Sequence, residues 1–351
     1  MSTVDRTRPP APAAVRAFEF PRIQRDRLDN GLAVLTARHG ALPVVTIELV
    51  VDAGAATEPD DRAGVAGLTL EALEAGTTTR DEDRIARDFE QLGVELVSGA
   101  SWDAAIARIT VPAERLEPAM ALLADVVRNP VFPEAPLSRM RAELLASFEQ
   151  RKKRPGALAG DALIRHIFAP GVPYARPSFG TRETVEATSR DDVEAFYRER
   201  YRPNAAALLF VGDVDAETAR RLAERHFADW TAGDVPATDF DVAPGVESRT
   251  IFVVDRPGSV QSEIRIGDVG VSRHHPDYFR LVVMNAILGG VFTSRLNMNL
   301  RERHGFTYGA RSGFAFRKKP GPFTVQAAVA TDVTARALEE AIREIELLRE
   351  D

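Results

Sequence analysis

Two stretches of the sequence carry residue types at spacings that could do chemistry. In the first, AGVAGLTLEALEAGTTTR from Ala63 to Arg80, the apolar residues recur at helical spacing. Gly67, Leu70 and Glu71 stand at i, i+3 and i+4, so they share one side of that helix. This spacing could hold a metal ion and a catalytic base, but a glycine, a leucine and one acid cannot. The helix therefore has the residue spacing of a metal site but lacks the metal ligands and the catalytic base.

The second stretch, ILGGVFTSRLNMNLRERHGFTYGARSGF, runs from Ile287 to Phe314. Arg301 and Tyr308 lie seven residues apart in it, across a predicted junction between a helix and a strand. A guanidinium and a phenol can both donate hydrogen bonds to an oxyanion that develops during a reaction. An arginine in a surface ion pair and a tyrosine half-buried in a sheet would meet the same spacing, so both interpretations stay open.

The composition bounds the class of protein. The 351 residues are 44% hydrophobic and 28% charged, a globular profile of a length that suits two domains. A net charge of −7 argues against nucleic acid or an anionic membrane as partner. The lack of cysteine excludes disulfides and thiolate sites. No apolar run approaches the roughly 20 residues of a membrane helix. The N-terminus lacks the apolar segment of a secretory signal, so we expect a cytoplasmic protein.

Several catalytic motifs are absent from the sequence. No two glycines stand two residues apart, which excludes the dinucleotide fingerprint and the glycine-rich kinase loop. The chain has no P-loop and no G-x-S-x-G nucleophile motif. Neither of the zinc motifs H-E-x-x-H and H-x-x-E-H occurs. The two stretches described above are therefore the candidates for a functional site.

The predicted elements repeat along the chain. The order strand, strand, helix, helix, strand, strand, helix occurs in both halves, which predicts an α+β fold of two similar domains, each a mostly antiparallel sheet with helices on one face. We predict a flexible N-terminal tail over residues 1–22, a first domain over 23–233, a linker over 234–248 and a second domain over 249–351. The second domain is shorter, and we expect it to be incomplete at its C-terminus.

Two local predictions are specific enough to check. The second domain should begin with two strands around a turn, between Thr250 and Val271. In the first domain, a loop should separate the helix that ends near Pro155 from the helix that Ser189 caps.

Five segments together resemble the pitrilysin/insulinase family of zinc metallopeptidases, in particular non-catalytic two-domain subunits related to the mitochondrial processing peptidase. The segments are LDNGLAVL, VDAGAATEPDDRAGVAGLTLEALEAGT, PYARPSFGT, YRPNAAALLFVGDVD and the stretch from Ile287 to Phe314. The resemblance covers nearly the whole chain from Arg27. It implies paired α+β domains, and two such chains that close around a peptide-holding chamber.

The resemblance also implies what the first stretch has lost. Active subunits of the family carry H-x-x-E-H on this helix, where two histidines bind zinc and the glutamate is the general base. That motif falls on GLTLE, with Gly67 and Glu71 at the histidine positions and Leu70 at the base position. Ser147 falls at the position of the third ligand, a glutamate. One carboxylate does not make a zinc site, so we expect no metal on this chain.

For Arg301 and Tyr308 the resemblance implies contacts to the substrate carbonyl, because the family places an arginine and a tyrosine there. The chain would then be the non-catalytic subunit of a heterodimer, inactive alone, with Zn on a paralogous partner subunit and a peptide substrate in the shared chamber. Two alternatives stay open. One is a scaffold or interaction protein of the same fold with no role in proteolysis, and the other is a stand-alone zinc peptidase.

Overall fold

Nine strands and eleven α-helices make up the part of the chain that the computed structural model describes, residues 7, 14 and 17–350. The strands are β1 (Ile23–Arg27), β2 (Ala33–Arg38), β3 (Val44–Val51), β4 (Val97–Ala100), β5 (Ala105–Pro112), β6 (Ala206–Gly212), β7 (Gln261–Val269), β8 (Thr307–Phe314) and β9 (Pro322–Ala330). The helices are α1 (Val65–Glu71), α2 (Glu82–Leu92), α3 (Leu116–Arg128), α4 (Glu134–Lys152), α5 (Pro155–Ile167), α6 (Arg182–Ala187), α7 (Arg190–Arg200), α8 (Ala216–Phe227), α9 (Tyr278–Asn285), α10 (Arg295–Asn297) and α11 (Thr334–Glu350). The predicted N-terminal tail lies mostly outside the described residues.

Six strands form the first sheet, in the order β1-β2-β6-β3-β5-β4. Neighbouring strands are antiparallel except β2 and β6, which are parallel. In β3, Val45, Ile47, Leu49 and Val51 are buried and the residues between them are partly exposed. Such alternation is typical of a sheet with helices on one side.

Helices cover the buried face of this sheet. α3 lies between α2 and α8 and contacts β5, while α8 reaches β2. α1 packs between α7 and β5 and also contacts α4 and β4. A single apolar core joins the strands and helices of this unit. α1, the helix that carries the first candidate stretch, is therefore held on several sides.

The second sheet has three antiparallel strands in the order β7-β9-β8. A smaller core beneath it includes Leu288, Leu296, Val325 and Val329. Both helices before β8 end in π-helical turns, α9 in Ala286–Gly290 and α10 in Met298–Arg303. The α+β fold class is thus confirmed, whereas the domain limits and the incomplete C-terminus stay predictions.

Within the described chain, the helical stretch Tyr278–Arg303 is long and apolar enough to cross a membrane by length and composition alone. Core helices of soluble proteins pass the same test. Here the stretch is interrupted by a turn at residues 291–294, and its helices pack against β8.

One predicted strand does not form. Of the two strands expected between Thr250 and Val271, only β7 is present, and residues 250–260 contain no strand. The side chains of Ile251, Val253 and Val254 are instead exposed. A strand needs a neighbour for its backbone hydrogen bonds, and within the described residues β7 pairs with β9 alone. β7 thus leaves one edge free, but residues 250–260 do not pair with it, so the prediction of two strands was wrong.

Sequence analysis also missed α5, which lies in the segment predicted to be a loop. Gly156 and Gly160 lower its helix propensity, although Pro155 at the first position favours a helix start. The glycine side of α5 allows the second sheet to approach closely. The guanidinium of Arg265 on β7 donates to the carbonyl of Gly156 at 3.1 Å. Tertiary packing between the two units therefore stabilises a helix that local propensity does not predict.

A buried arginine after β8 also connects the two units. The guanidinium carbon of Arg317 lies 3.6 Å from the ring centre of Trp102 and 4.4 Å from that of Tyr174. Burial lowers the pKa of Arg317 to about 10, although Tyr174 and Asp103 act in the opposite direction. Asp103 accepts hydrogen bonds from the Tyr174 hydroxyl and, at 2.8 Å, from the backbone N–H of Lys318.

Replacing Arg317 with alanine should lower the free energy of unfolding by about 2 kcal/mol, because a desolvated cation over aromatic faces contributes about that much. Urea denaturation measures the loss, and hydrogen exchange should show faster exchange at Trp102 and Lys318. Arg311→Ala, at an exposed position on β8, is the matched control. Equal stability of the two variants would contradict the prediction.

Candidate functional site

α1 begins at a buried carboxylate. Glu58 accepts hydrogen bonds from the backbone N–H groups of Gly64, at 3.0 Å, and of Ala66, at 2.7 Å. The start of a helix favours negative charge. Burial nevertheless raises the pKa of Glu58 to about 7, against the lowering effects of the two N–H groups and of Arg176. This carboxylate sets the direction in which α1 leaves the preceding loop.

A loop after α5 packs against the same helix start. Arg176 donates to the carbonyls of Ala55 and Glu58, each at 2.9 Å. Gly180 has a φ of 76°, and a Cβ at this position would lie 2.1 Å from the carbonyl oxygen of Ala63. Only glycine permits both this conformation and this approach. Two of the segments that carry the family resemblance therefore meet where α1 begins.

The predicted zinc-site positions offer few donor atoms. Gly67 is partly exposed, and a Cβ there would have open space around it. Leu70 is buried, whereas Glu71 is exposed at the end of α1. Ser147 is exposed on α4, and its hydroxyl donates to the carbonyl of Leu144 at 2.7 Å. Among the described residues no group of three or more His, Cys, Asp or Glu side chains could hold a metal.

Carboxylates dominate the surface around Glu71. Partial loss of water and the nearby Glu143 raise the pKa of Glu71, while Arg139 lowers it. The Glu71 side chain is exposed as a whole, so surrounding atoms remove only part of its hydration. Desolvation raises the pKa of Glu74 to about 7, and the carboxylates of Glu71, Glu95 and Glu82 add to this effect. The surface beside α1 is therefore acidic and holds a group that titrates near neutral pH.

An edge strand borders this acidic surface. Among the described residues β4 pairs with β5 alone, and α1 packs against it. Three of its four residues are exposed. The free N–H and C=O groups of such an edge can pair with an extended peptide.

The structure brings Arg301 and Tyr308 together in the second unit. The guanidinium carbon of Arg301 lies 5.0 Å from the ring centre of Tyr308 and 4.5 Å from that of Phe292. Tyr308 is 88% exposed, so it is not half-buried as the structural alternative requires. Arg301 does form a surface ion pair, with Glu302 at 3.3 Å. A ligand from solvent could therefore reach the exposed Tyr308 and the partly exposed Arg301.

Sequence reasoning missed Phe292, Glu58 and Glu74. The available signal for Phe292 was an aromatic residue just after a double glycine in the second stretch. Glu58 gave no local signal, because it lies six residues before Gly64 and so outside the capping positions. The effect on Glu74 depends on residues of several elements, which only the folded chain brings together.

Two family models match successive parts of the chain. The model described as insulinase (peptidase family M16) matches residues 33–177, and the peptidase M16 inactive domain matches residues 187–351. The second match includes β6, which belongs to the first sheet.

Individual relatives are similar over much of their length. An uncharacterized zinc protease of Rickettsia bellii is 26% identical over 325 residues, 92% of this chain and 77% of that protein. A probable mitochondrial-processing peptidase subunit beta of Schizosaccharomyces pombe is 26% identical over 298 residues, 79% of this chain and 62% of that protein.

Solved structures share the fold. The crystal structure of a peptidase M16 inactive domain from Pseudomonas fluorescens matches with a TM-score of 0.89 and 29% identity, covering 94% of this chain and 80% of that one. A protease from Helicobacter pylori has a TM-score of 0.85 at 18% identity, covering 95% of this chain and 80% of that one, and shows the fold alone. Fold and sequence together define a peptidase-type α+β chain. It belongs to the pitrilysin/insulinase (M16) family of zinc metallopeptidases.

We expect the purified chain to carry substoichiometric zinc after dialysis, because its donor set supplies one carboxylate where a site needs several ligands. Elemental analysis by mass spectrometry measures the zinc. Near-stoichiometric zinc on the native chain would contradict this expectation. A triple variant, Gly67→His with Glu71→His and Ser147→Glu, is the informative comparison. It should gain zinc, since α1 packs against α4 and the three positions on these helices are open or exposed.

Glu74→Gln should stabilise the fold at high pH and have little effect at low pH. The pKa of Glu74 rises from 4.5 to about 7 on folding, so the folded state holds the proton more tightly. Stability is then lost as the pH rises from 4.5 through 7. At pH 8 we expect the variant to gain about 1–2 kcal/mol, less than the full shift because water reaches part of the group.

Thermal denaturation at pH 5 and pH 8 measures this difference. Glu90→Gln, at an exposed position on α2, is the control and should behave alike at both pH values. If Glu74→Gln gained the same stability at both pH values, the raised pKa of Glu74 in the folded state would be refuted.

Proposed function

We propose that this chain is the non-catalytic subunit of a heterodimeric zinc metallopeptidase. The observation that carries the proposal is a contrast between the two candidate sites. At Gly67, Leu70, Glu71 and Ser147 the chain offers one carboxylate. In the second unit, the guanidinium of the partly exposed Arg301 lies 5.0 Å from the ring centre of Tyr308, which is 88% exposed. A chain that acted alone would need the first site, whereas a subunit needs only the second.

In this proposal a paralogous subunit with an intact H-x-x-E-H motif would hold the zinc, which would supply an activated water for peptide hydrolysis. Arg301 and Tyr308 donate hydrogen bonds to the carbonyl oxygen as negative charge develops on it. The ring centre of Phe292 lies 4.5 Å from the guanidinium carbon of Arg301. Donors already placed at the developing charge need no reorganisation during the reaction, and this is the source of their effect.

The first unit would form part of the chamber wall. The exposed edge of β4 beside α1 supports this assignment, because an extended peptide can add to such an edge by backbone hydrogen bonds. Since GLTLE leaves no cleavage machinery at α1, a peptide on β4 would be held and not cut by this chain alone.

The test is co-expression with a paralogue that carries an intact H-x-x-E-H motif. Arg301→Ala and Tyr308→Phe should each lower peptide hydrolysis by the complex on the order of 10²-fold, as loss of an oxyanion donor does. Tyr308→Phe keeps the ring against Arg301 and removes only the hydroxyl. Arg303→Ala, an exposed arginine in the same π-helical turn, is the control and should retain activity.

The outcome also separates the scaffold alternative from the proposal. A complex that hydrolyses peptide equally well with all three variants would exclude a role of the pair in the reaction. A stable complex that hydrolyses no peptide with any zinc-bearing paralogue would favour the scaffold function.

A further inference from the structure

Tyr308 leaves the regular pleat of its strand. Thr307 on β8 pairs with Val329 on β9, but the next pair is Ala310 with Ala327. Tyr308 and Gly309 therefore stand together opposite one residue of β9, which is the pattern of a β-bulge. Bulges redirect side chains, and this one places the Tyr308 ring outside the sheet beside Arg301. An exposed ring on a bulge has little packing of its own to fix its position.

Asn297 connects the parts that carry this pair. It is 6% exposed, and its Oδ1 accepts a hydrogen bond at 2.9 Å from the backbone N–H of Ala310, the residue that ends the bulge. Its Nδ2 donates at 3.4 Å to the carbonyl of Val291, the residue before Phe292. Asn297 also stands directly before the π-helical turn Met298–Arg303 that carries Arg301. One amide thus contacts the supports of both rings that flank the guanidinium.

Neighbouring contacts fix the amide and the bulge themselves. The Thr307 hydroxyl accepts from the N–H of Gly309 at 3.1 Å and donates to the carbonyl of Ala328 at 2.7 Å, which closes the bulge. Asn299 donates to Glu344 on α11 at 2.7 Å, which ties the helical turn to the far side of the unit. Asn297 therefore spans two segments that are each anchored separately.

We propose that Asn297 is a positioning residue that sets the geometry of Arg301 relative to Phe292 and Tyr308. Without its amide, the N–H of Ala310 would lose its partner in a buried place, and the bulge would be free to shift relative to the helical turn. The structural part of this inference stands on its own, and only its consequence for hydrolysis rests on the proposed function.

The experiment compares Asn297→Leu with Asn299→Leu in the full chain. Both remove a buried asparagine of the same short segment, but Asn299 faces α11. The readout is the Nε–Hε resonance of Arg301 in ¹H–¹⁵N spectra, assigned with Arg301→Lys. Two flanking rings should displace it from ordinary arginine positions, and Tyr308→Ala gives the reference without one ring.

In Asn297→Leu the resonance should move most of the way to the Tyr308→Ala position, whereas in Asn299→Leu it should stay near the native one. Asn297→Asp keeps an oxygen toward Ala310 but loses the donor toward Val291, so the resonance should move only part of the way. If Asn297→Leu fails to fold, Asn297→Ser, which is too short to span both partners, takes its place. An unmoved resonance in the folded variant would overturn the inference.

Kinetics of the complex form the second arm. There, Asn297→Leu should lower kcat by up to about 10²-fold with little change in KM, because a misplaced group loses its effect in the transition state. A displaced resonance with unchanged kcat would support the positioning role and refute the proposed role of the pair in hydrolysis. The two hypotheses can therefore fail separately.

Discussion

The buried carboxylate of Glu58 is the interaction on which the first unit depends. It accepts hydrogen bonds from two backbone N–H groups at the start of α1, at 3.0 and 2.7 Å. Removing a carboxylate from water is costly, and the raised pKa of Glu58 reflects that cost. The two N–H groups and Arg176 offset it in part. These hydrogen bonds fix the direction of α1, which packs against α7, α4 and the edge strand β4.

The two units hold their candidate groups by different physical means. Around α1 the packing is close and largely apolar, and glycine is required where the loop at Gly180 approaches Ala63. Around Arg301 polar contacts hold the segments together, since Asn297 accepts from the N–H of Ala310 and donates to the carbonyl of Val291. A dense apolar environment keeps its shape after functional side chains are exchanged. A polar network constrains particular side chains, because each unpaired group would cost free energy.

Much of the fold followed from local patterns. The alternation in β3 predicted its buried face, and Ser189 caps α7 as expected, accepting from the N–H of Asp192. The pattern failed where the outcome depended on distant partners. α5 is helical despite two glycines because the second sheet packs on it.

For the candidate site, the sequence predicted which residues form the Arg301–Tyr308 pair better than it predicted the residues that surround the pair. Arg301 and Tyr308 were found from their spacing and the family resemblance, and the structure places them together. Their third neighbour, Phe292, and the bulge beneath Tyr308 were not found, because neither follows a periodic pattern. A bulge is an exception to periodicity by definition, so pattern analysis has no means of locating it.

That bulge makes chain length, and not only side-chain identity, a requirement of the site. A sheet repeats every two residues, so a shift of one residue reverses which face each side chain occupies. Between the paired positions Thr307 and Ala310, β8 advances three residues while β9 advances two. If a single residue were removed here, the core residues of β8 could keep their pairing with β9 only if Tyr308 moved to the other face of the sheet. Tyr308 could keep its present face only if Ala310 became exposed. A substitution in this segment leaves the strand register unchanged. An insertion or deletion of one residue shifts it, so the core residues of β8 and Tyr308 could no longer both face the directions they face now.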